Sequence, residues 1–256
     1  MRNFLKVGRP TFTMMIQARE KSRVTELMEK GKNGGADAFG LQLEQLLPQY
    51  RTKEHLRDMI SAAEGKPVYV TDYRTMLNTG MSDDELTAEL ISAASCGAAL
   101  IDIMGDMYAP TQLQLTDDPA AAERQKALIR NIHNLGAGVL MSSHTSRFCP
   151  EDTVLSMIRK QRSRGADICK VVTSADTRDE LYENFRISER LARLPYPSLF
   201  LCNGRFCRRH RLFAPFLADG IFLCVAEQDD LSTRSQPLLS DARLLWQKIQ
   251  EGETDK

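Results

Sequence analysis

Eight short runs rich in Val, Ile, Leu, Phe and Met alternate along this chain with longer amphipathic, charged segments. Short apolar runs between helical segments are typical of parallel strands that are buried on both faces. The predicted strands are 11–18, 36–43, 67–74, 99–104, 138–144, 166–172, 198–204 and 220–226. Eight such units predict an α/β fold, a (β/α)8 TIM barrel with its helices outside. An open doubly wound sheet shares the local pattern, but the chain lacks the G-x-G-x-x-G turn that would favour it.

Signals for helix ends support one continuous domain. Helices are predicted to begin near Ser82, Cys149 and Thr177, where capping or acidic residues precede an amphipathic segment. Three glycines, at 97, 136 and 165, stand where a helix would end before the next strand. No linker rich in Pro, Gly or Ser divides the chain, so residues 1–256 are predicted to form a single barrel domain. The tail at about 251–256 is expected to be frayed.

Composition restricts the kind of partner. The chain has 34 basic and 34 acidic residues, so no overall charge directs it to nucleic acid or to an anionic membrane surface. A small molecule is the expected partner. No stretch approaches 18 consecutive apolar residues, and the first residues lack the apolar block of a signal peptide. The protein is therefore expected to be soluble and cytoplasmic, and the sequence is compatible with a homodimer.

Cysteine and histidine spacing gives no sign of a metal site. The six cysteines show no C-x-x-C pair, and three of them lie in or beside apolar runs, which predicts reduced thiols. The four histidines, at 55, 133, 144 and 210, lack the spacing of paired metal ligands. No metal is expected.

Lys170 interrupts the apolar run ICKVV in the middle of a predicted strand. Its side chain must point into the barrel or into the helix layer, and both directions remove it from water. Burial disfavours an ammonium group and can turn a lysine into a nucleophile that forms an imine with a ketone or aldehyde. The alternative is a lysine that pairs with a buried carboxylate or reaches solvent along its stem.

His144 ends the predicted strand before the one that carries Lys170. Parallel strands present their carboxyl ends on one face of a barrel, which is where barrel enzymes place their chemistry. A neutral histidine beside the lysine could remove and return protons as a general acid/base. The alternative is a hydrogen-bonded structural histidine.

Four arginines cluster in GRFCRRHR after the seventh predicted strand: Arg205, Arg208, Arg209 and Arg211. A guanidinium at this position could bind a carboxylate or a phosphate through two hydrogen bonds. Three of the four are expected to belong to a solvated helix start. A nucleic-acid role would need basic residues over a whole face, together with aromatic stacking partners.

The segment LMSSHTSRFCPEDTVLSMIRKQRSRGADICKVV, residues 140–172, resembles the core of type I 3-dehydroquinate dehydratases. In that family a histidine at a strand end is followed by a loop, a proline, a helix and a G-A-D-I-x-K strand. His144, Pro150 and Lys170 match these positions. The resemblance implies that Lys170 forms the imine, that His144 is the general acid/base, and that no cofactor is needed.

Further matches imply a binding site for a hydroxy oxo acid. NGRFCRRHR is similar to the family's G-x-x-S-R segment, which places Arg208 on the arginine that binds the substrate carboxylate. STRSQ at 232–236 resembles the S-A-P-G-Q loop, with Ser232 and Gln236 at its two ligand positions. YVTDYRTMLNTG resembles the T-x-R-x-x-x-E-G-G stretch, which implies that Arg74 binds substrate.

Cys207 replaces the serine of the G-x-x-S-R segment, and the proline and glycine of the S-A-P-G-Q loop are missing. Four charged side chains of the family are also missing from this chain. In the segment ADAFGLQLE, Gly40 and Gln42 occupy the family's Glu and Arg positions, whose side chains bind substrate hydroxyls. Asn78 stands where the histidine-orienting glutamate is expected, and Met104 replaces another glutamate. Three hypotheses follow: a divergent 3-dehydroquinate dehydratase, a lysine-imine lyase or aldolase for another oxo acid, and a non-catalytic barrel that binds a carboxylate ligand or a partner.

Overall fold

The computed structural model describes residues 4–218 and 220–253. Eight parallel strands form one sheet in the order β7-β6-β5-β4-β3-β2-β1-β8, so the chain is a single-domain, nearly closed (β/α)8 barrel as predicted. The strands are β1 Thr11–Ile16, β2 Ala38–Gln42, β3 Val68–Thr71, β4 Leu100–Met104, β5 Gly138–His144, β6 Ile168–Ser174, β7 Ser198–Asn203 and β8 Ile221–Cys224.

One α-helix follows each strand. The helices are α1 Lys21–Asn33, α2 Lys53–Ser61, α3 Asp83–Ser95, α4 Pro119–Asn134, α5 Glu151–Ser163, α6 Arg178–Ala192, α7 Cys207–Phe213 and α8 Leu239–Glu253. Ser82 and Thr177 cap α3 and α6, each in a reciprocal hydrogen-bonded pair with a glutamate three residues later. Gly97, Gly136 and Gly165 all have positive φ, which confirms their predicted place after a helix.

Several element ends differ from the prediction. The predicted strands 11–18, 67–74 and 220–226 end early, at Ile16, Thr71 and Cys224, because the residues that follow turn into loops around the barrel mouth. Helix α8 continues to Glu253, so residues 251–253 are helical where a frayed tail was expected. Residues 254–256 of that predicted tail lie outside the described residues.

Side chains of each strand alternate between the barrel interior and the helix layer. Met15, Tyr69, Leu140 and other inward residues form an apolar cluster within the barrel, and Phe4 packs edge-on against Tyr69 in it. The larger core lies between the strands and the helices. In the register of β5 and β6, Ser142 lies opposite Lys170 and His144 opposite Val172. Lys170 and His144 therefore share the inward face, with His144 closer to the carboxyl ends.

The thiols and the surface bear on two other expectations. All six cysteines are free, as predicted. Within the described ranges no helix combines the length and the apolar character needed to cross a membrane. The cytoplasmic location and the homodimer stay predictions.

Candidate active site

A cavity of about 480 Å³ opens at the carboxyl ends of the strands. Four of the residues that the sequence linked to catalysis or substrate binding line this cavity, although they come from different elements. They are Lys170, His144, Gln236 and, at the rim, Arg74. Its other lining residues are Met15, Gln42, Thr71, Tyr73, Thr75, Met104, Asp106, Pro110, Thr111, Gln114, Val172, Leu201, Asn203, Arg211, Leu223 and Thr233. The mixture of apolar walls with a few converging polar groups is typical of a small-molecule site.

Lys170 lies within the barrel and is 4% exposed. Nζ donates to the hydroxyl of Tyr73 at 2.8 Å and lies 3.2 Å from Oδ2 of Asp102. A longer contact of 3.3 Å joins it to the hydroxyl of Tyr69. The lysine thus faces the cavity and also pairs with a buried carboxylate, which is the alternative that the sequence left open. Its role as a nucleophile stays a prediction.

Asp102 is the centre of this cluster. Its Oδ2 accepts hydrogen bonds from the hydroxyls of both Tyr69 and Tyr73, and its Oδ1 accepts one from Ser142. Burial, followed by the charge of Asp102, raises the pKa of both phenols well above the ordinary value. Both tyrosines therefore keep their protons at neutral pH and can act as hydrogen-bond donors.

His144 stands at the mouth end of β5. Its ring packs edge-on against Tyr73 at 5.0 Å between centroids, and its backbone N–H donates to the side chain of Gln114 at 2.9 Å. Neither ring nitrogen hydrogen-bonds another described residue. Burial, and then the charges of Lys170 and Arg211, lower the pKa of His144 well below its ordinary value. The imidazole is therefore neutral near pH 7 and can accept a proton.

The arginine that faces the cavity is Arg211, one helical turn after Arg208. Arg208 is exposed on α7 and lies outside the cavity, as do Arg205 and Arg209. Arg211 is 5% exposed, and its guanidinium donates to the backbone oxygen of Cys202 and to Oδ1 of Asn203, both at 2.8 Å. One arginine of the four is buried in the site, as expected, but its position is 211.

In the loop after β8, Gln236 reaches the cavity and Ser232 does not. Ser232 instead accepts a hydrogen bond from the backbone of Asp229 within the loop. Its neighbour Thr233 lines the cavity and accepts a hydrogen bond from Gln17 at 2.9 Å. Gln236 is buried, and its Oε1 has no hydrogen-bond partner among the described residues.

Arg74 lines the rim but is held by carboxylates. Its guanidinium forms two hydrogen bonds with Asp83 and one with the side chain of Asp106. Asn78 is fully buried at the end of this loop, where it donates to Asp72 at 2.6 Å and accepts from Arg51 at 2.7 Å. Asn78 thus orders the loop after β3 and makes no hydrogen bond to His144.

The space left at Gly40 is already filled. A Cβ at this position would lie 2.2 Å from Sδ of Met15 and 3.2 Å from a ring carbon of Tyr69. Gln42 donates to the buried Glu44 at 2.8 Å, while its own Oε1 has no partner within the described residues. This side of the cavity is therefore lined by Met15 and Gln42 where the family has two charged groups.

The loop after β4 is fixed from the helix layer. Arg164, buried at the end of α5, donates to the backbone oxygens of Gly105 and Thr116 and to the side chain of Gln125. A Cβ at Gly105 would lie 2.8 Å from the backbone oxygen of Gln114, so only glycine permits this close approach. The loop therefore holds Gln114 against His144.

Sequence reasoning missed Tyr73, Asp102, Thr233 and the choice of Arg211. Asp102 interrupts an apolar strand just as Lys170 does, and that signal was available in LIDIM. Nothing local marks Tyr73, because it follows the end of β3 and its contacts come from distant strands.

Comparison with known proteins gives a consistent answer. The sequence profile described as Type I 3-dehydroquinase matches residues 12–251. A 3-dehydroquinate dehydratase from Desulfotalea psychrophila is 24% identical over 167 residues, which are 65% of this chain and 68% of that protein. In structure, the chain is similar to a 3-dehydroquinate dehydratase from Geobacillus kaustophilus, with a TM-score of 0.79 and 16% identity over 96% of this chain and 93% of that one. A type I enzyme from Clostridium difficile, solved with covalently modified comenic acid, gives a TM-score of 0.79 and 14% identity over 97% and 95%.

The structural likenesses at these identities show the shared fold, and the profile covers nearly the whole chain, including both Lys170 and His144. This chain belongs to the type I 3-dehydroquinase family.

Proposed function

We propose that this protein is a Schiff-base dehydratase that converts 3-dehydroquinate to 3-dehydroshikimate and water. The observation that carries the proposal is the buried amine of Lys170 within a cavity that also holds His144 and Arg211. The family match supports the same chemistry.

In the proposed reaction, Nζ of Lys170 attacks the C3 ketone and forms a protonated imine, which draws electrons from the neighbouring carbon. His144 removes a proton from C2, and the electron pair of that bond forms the new double bond as the C1 hydroxyl departs. The same histidine returns its proton to the leaving oxygen, which gives water. Hydrolysis of the imine releases the product and restores the amine.

Arg211 and Gln236 are proposed to bind the substrate carboxylate, with Thr233 beside them. Sequence reasoning gave these roles to Arg208, Gln236 and Ser232, but Arg208 and Ser232 lie outside the cavity. For Arg74 we propose a place in the cavity wall, because two aspartates already bind its guanidinium.

Unpaired amide oxygens favour a ligand with hydroxyl groups. Oε1 of Gln42 and Oε1 of Gln236 are buried and lack a partner among the described residues, which is costly unless a ligand donates a hydrogen bond. A hydroxy oxo acid carries such donors together with its carboxylate. The two glutamines thus support a hydroxylated substrate despite the missing charged side chains.

The test is to trap the imine. Wild-type protein is incubated with 3-dehydroquinate and borohydride, and the intact mass and the modified peptide are measured. Lys170→Ala is the negative control, and Lys160→Ala, which removes a partly exposed lysine on α5, is the matched positive control. We expect an adduct on Lys170 in wild type and Lys160→Ala, and 3-dehydroshikimate in the solution. No product at any enzyme concentration would rule out this function.

One observation favours a second candidate, a lysine-imine lyase or aldolase for an oxo acid with fewer hydroxyl groups. Met15 fills the space beside Gly40, and Met104 lines the cavity, so this wall offers little to bind hydroxyls. A panel of oxo acids tested with borohydride distinguishes the two. A trapped acid other than 3-dehydroquinate would support this candidate, whereas an unchanged mass with every acid would indicate a non-catalytic binding protein.

A further inference from the structure

The hydroxyl of Tyr73 lies between the amine of Lys170 and the carboxylate of Asp102. It accepts a hydrogen bond from Nζ at 2.8 Å and donates one to Oδ2 of Asp102. The three groups form a continuous path along which a proton can move. Asp102 and Lys170 come from β4 and β6, on opposite sides of β5, so the path crosses the barrel interior.

This arrangement sets a requirement for catalysis. An ammonium group has no free electron pair, so Lys170 must give up a proton before it attacks a ketone. Loss of the ketone oxygen as water then requires an acid next to that oxygen. Asp102 is fully buried and does not line the cavity, so its carboxyl group cannot reach the substrate oxygen directly.

We propose that Tyr73 is a catalytic residue that relays protons between Asp102 and the atoms of the forming imine. Tyr73 lines the cavity and touches Nζ, so it is the member of the cluster that can reach both sides. The inference rests on the proposed function, because it concerns the formation of the imine at Lys170.

The protons balance in three steps. First, Lys170 gives a proton to the oxygen of Tyr73 as Tyr73 gives its own to Asp102, which leaves a neutral amine and a protonated carboxyl group. Second, the amine adds to the ketone carbon, which leaves a positive charge on Nζ and a negative charge on the former ketone oxygen. Tyr73 then transfers a proton from Nζ to that oxygen. Third, Asp102 returns its proton through Tyr73 to this hydroxyl, the C–O bond breaks, and water leaves. The protonated imine then replaces the ammonium group as the partner of the Asp102 carboxylate.

Tyr69 provides an internal comparison. Its hydroxyl also donates to Oδ2 of Asp102, but it lies 3.3 Å from Nζ, and its side chain is fully buried outside the cavity lining. It can polarise Asp102 but cannot reach a substrate oxygen. The high pKa of both phenols, caused by burial and then by Asp102, keeps each one protonated and able to donate.

Three other charged or titratable groups lie near the proton path through Tyr73. Glu44 lies on the side of β2 and adds negative charge near Tyr73, while His144 on β5 and Arg211 on α7 lie on the cavity side. Since Lys170 and Asp102 exchange a proton internally, wild-type imine formation needs no proton from solvent. In a variant without the Tyr73 hydroxyl, Lys170 can still pass its proton directly to Asp102 across their 3.2 Å contact, but the departing oxygen must obtain its proton from a dissolved acid.

The experiment compares Tyr73→Phe with Tyr69→Phe in single-turnover trapping by borohydride with 3-dehydroquinate. We expect imine formation to slow by about 100-fold or more in Tyr73→Phe and by less than about 10-fold in Tyr69→Phe, from the usual effect of a positioned acid. The rate in Tyr73→Phe should rise with the concentration of a small buffer acid, and the wild-type rate should not. A purely structural role for Tyr73 would not produce this rescue.

The outcomes separate the two proposals. An adduct that forms in Tyr73→Phe as fast as in Tyr69→Phe overturns the relay and leaves the Schiff-base function standing. No adduct on wild type overturns both. If Tyr73→Phe does not fold, 3-fluorotyrosine at position 73 keeps the hydroxyl and makes it more acidic, and an unchanged rate of imine formation in that protein overturns the relay.

Discussion

Replacing Arg211 with alanine should reduce kcat/KM for 3-dehydroquinate far more than replacing Arg208, although the two arginines are only three residues apart. Arg211 is buried in the cavity, while Arg208 is exposed on the surface of α7. A guanidinium has five N–H donors, and Arg211 uses Nε and one donor of Nη2 on Cys202 and Asn203. The remaining donors are enough for two hydrogen bonds to a substrate carboxylate.

The magnitude follows from these two bonds. A hydrogen bond to a charged group contributes about 1.5–3 kcal/mol, so the loss of two should cost at least about 3 kcal/mol, or about 100-fold in rate at low substrate concentration. A carboxylate that does not react is bound equally in the ground and transition states. The effect of Arg211→Ala should therefore appear mainly in KM.

The assay is steady-state formation of 3-dehydroshikimate by wild type and by both variants, with thermal melting to show that each is folded. Arg208→Ala should stay within about two-fold of wild type, because an exposed side chain outside the cavity contributes little binding energy. Equal losses in the two variants, or a larger loss in Arg208→Ala, would show that the position of Arg211 in the cavity does not determine carboxylate binding.

Three more results are expected. The pKa of His144 is lowered chiefly by burial and then by the charge of Lys170, so it should rise in Lys170→Met. NMR titration of the imidazole measures this, and the same pKa in wild type and in Lys170→Met would contradict it. Asp72 has its pKa raised to about 9, mainly by burial, so its contribution to stability is complete below its ordinary pKa and is lost as pH rises through about 9. Asp72→Asn should therefore gain stability relative to wild type as the pH rises from about 5 to about 9 in urea unfolding, and parallel curves would refute this. Gly40→Ala should lower the free energy of unfolding by about 1–3 kcal/mol, because its Cβ would lie 2.2 Å from Sδ of Met15. The loss should be smaller in a Met15→Ala background, and a double-mutant cycle without coupling would contradict the packing argument.

The barrel could be predicted because its signals are local. Apolar strand runs, caps such as Ser82 and glycines such as Gly97 each depend on a few neighbouring residues. The ends of the strands were harder to predict. The residues after Thr71 look like strand in sequence, but a hydrogen bond from Asn78 to Asp72 and a second from Asn78 to the backbone of Tyr73 bend them into a loop.

The site was predictable where it depends on adjacent parallel strands. Lys170 and His144 lie on neighbouring strands, so their proximity followed from chain order. The pairing of Lys170 with Asp102 could not be predicted from chain order, because β5 separates β4 from β6 and their side chains meet only in the barrel interior. Whether Arg208 or Arg211 faces the cavity depends on which side of the short helix α7 is turned toward the barrel. The G-x-x-S-R match, in which Cys207 replaces the serine, does not define that orientation.

Arg164 has a consequence for ligands larger than the substrate. Its guanidinium holds the loop after β4 through neutral oxygens of Gly105, Thr116 and Gln125, and that loop fixes Gln114 beside His144. On the opposite rim, residues 233–236 are held by neutral amide side chains. Gln17 exchanges two hydrogen bonds with Thr233, and Gln228 donates one to the backbone oxygen of Gln236. The ion pairs of Arg23 are made with Glu227 and Asp229, earlier in that loop. An inhibitor extended toward residues 233–236 should therefore find a wall that adapts to it, whereas one extended toward residue 114 would meet a rim that cannot move without disturbing the packing of two helices.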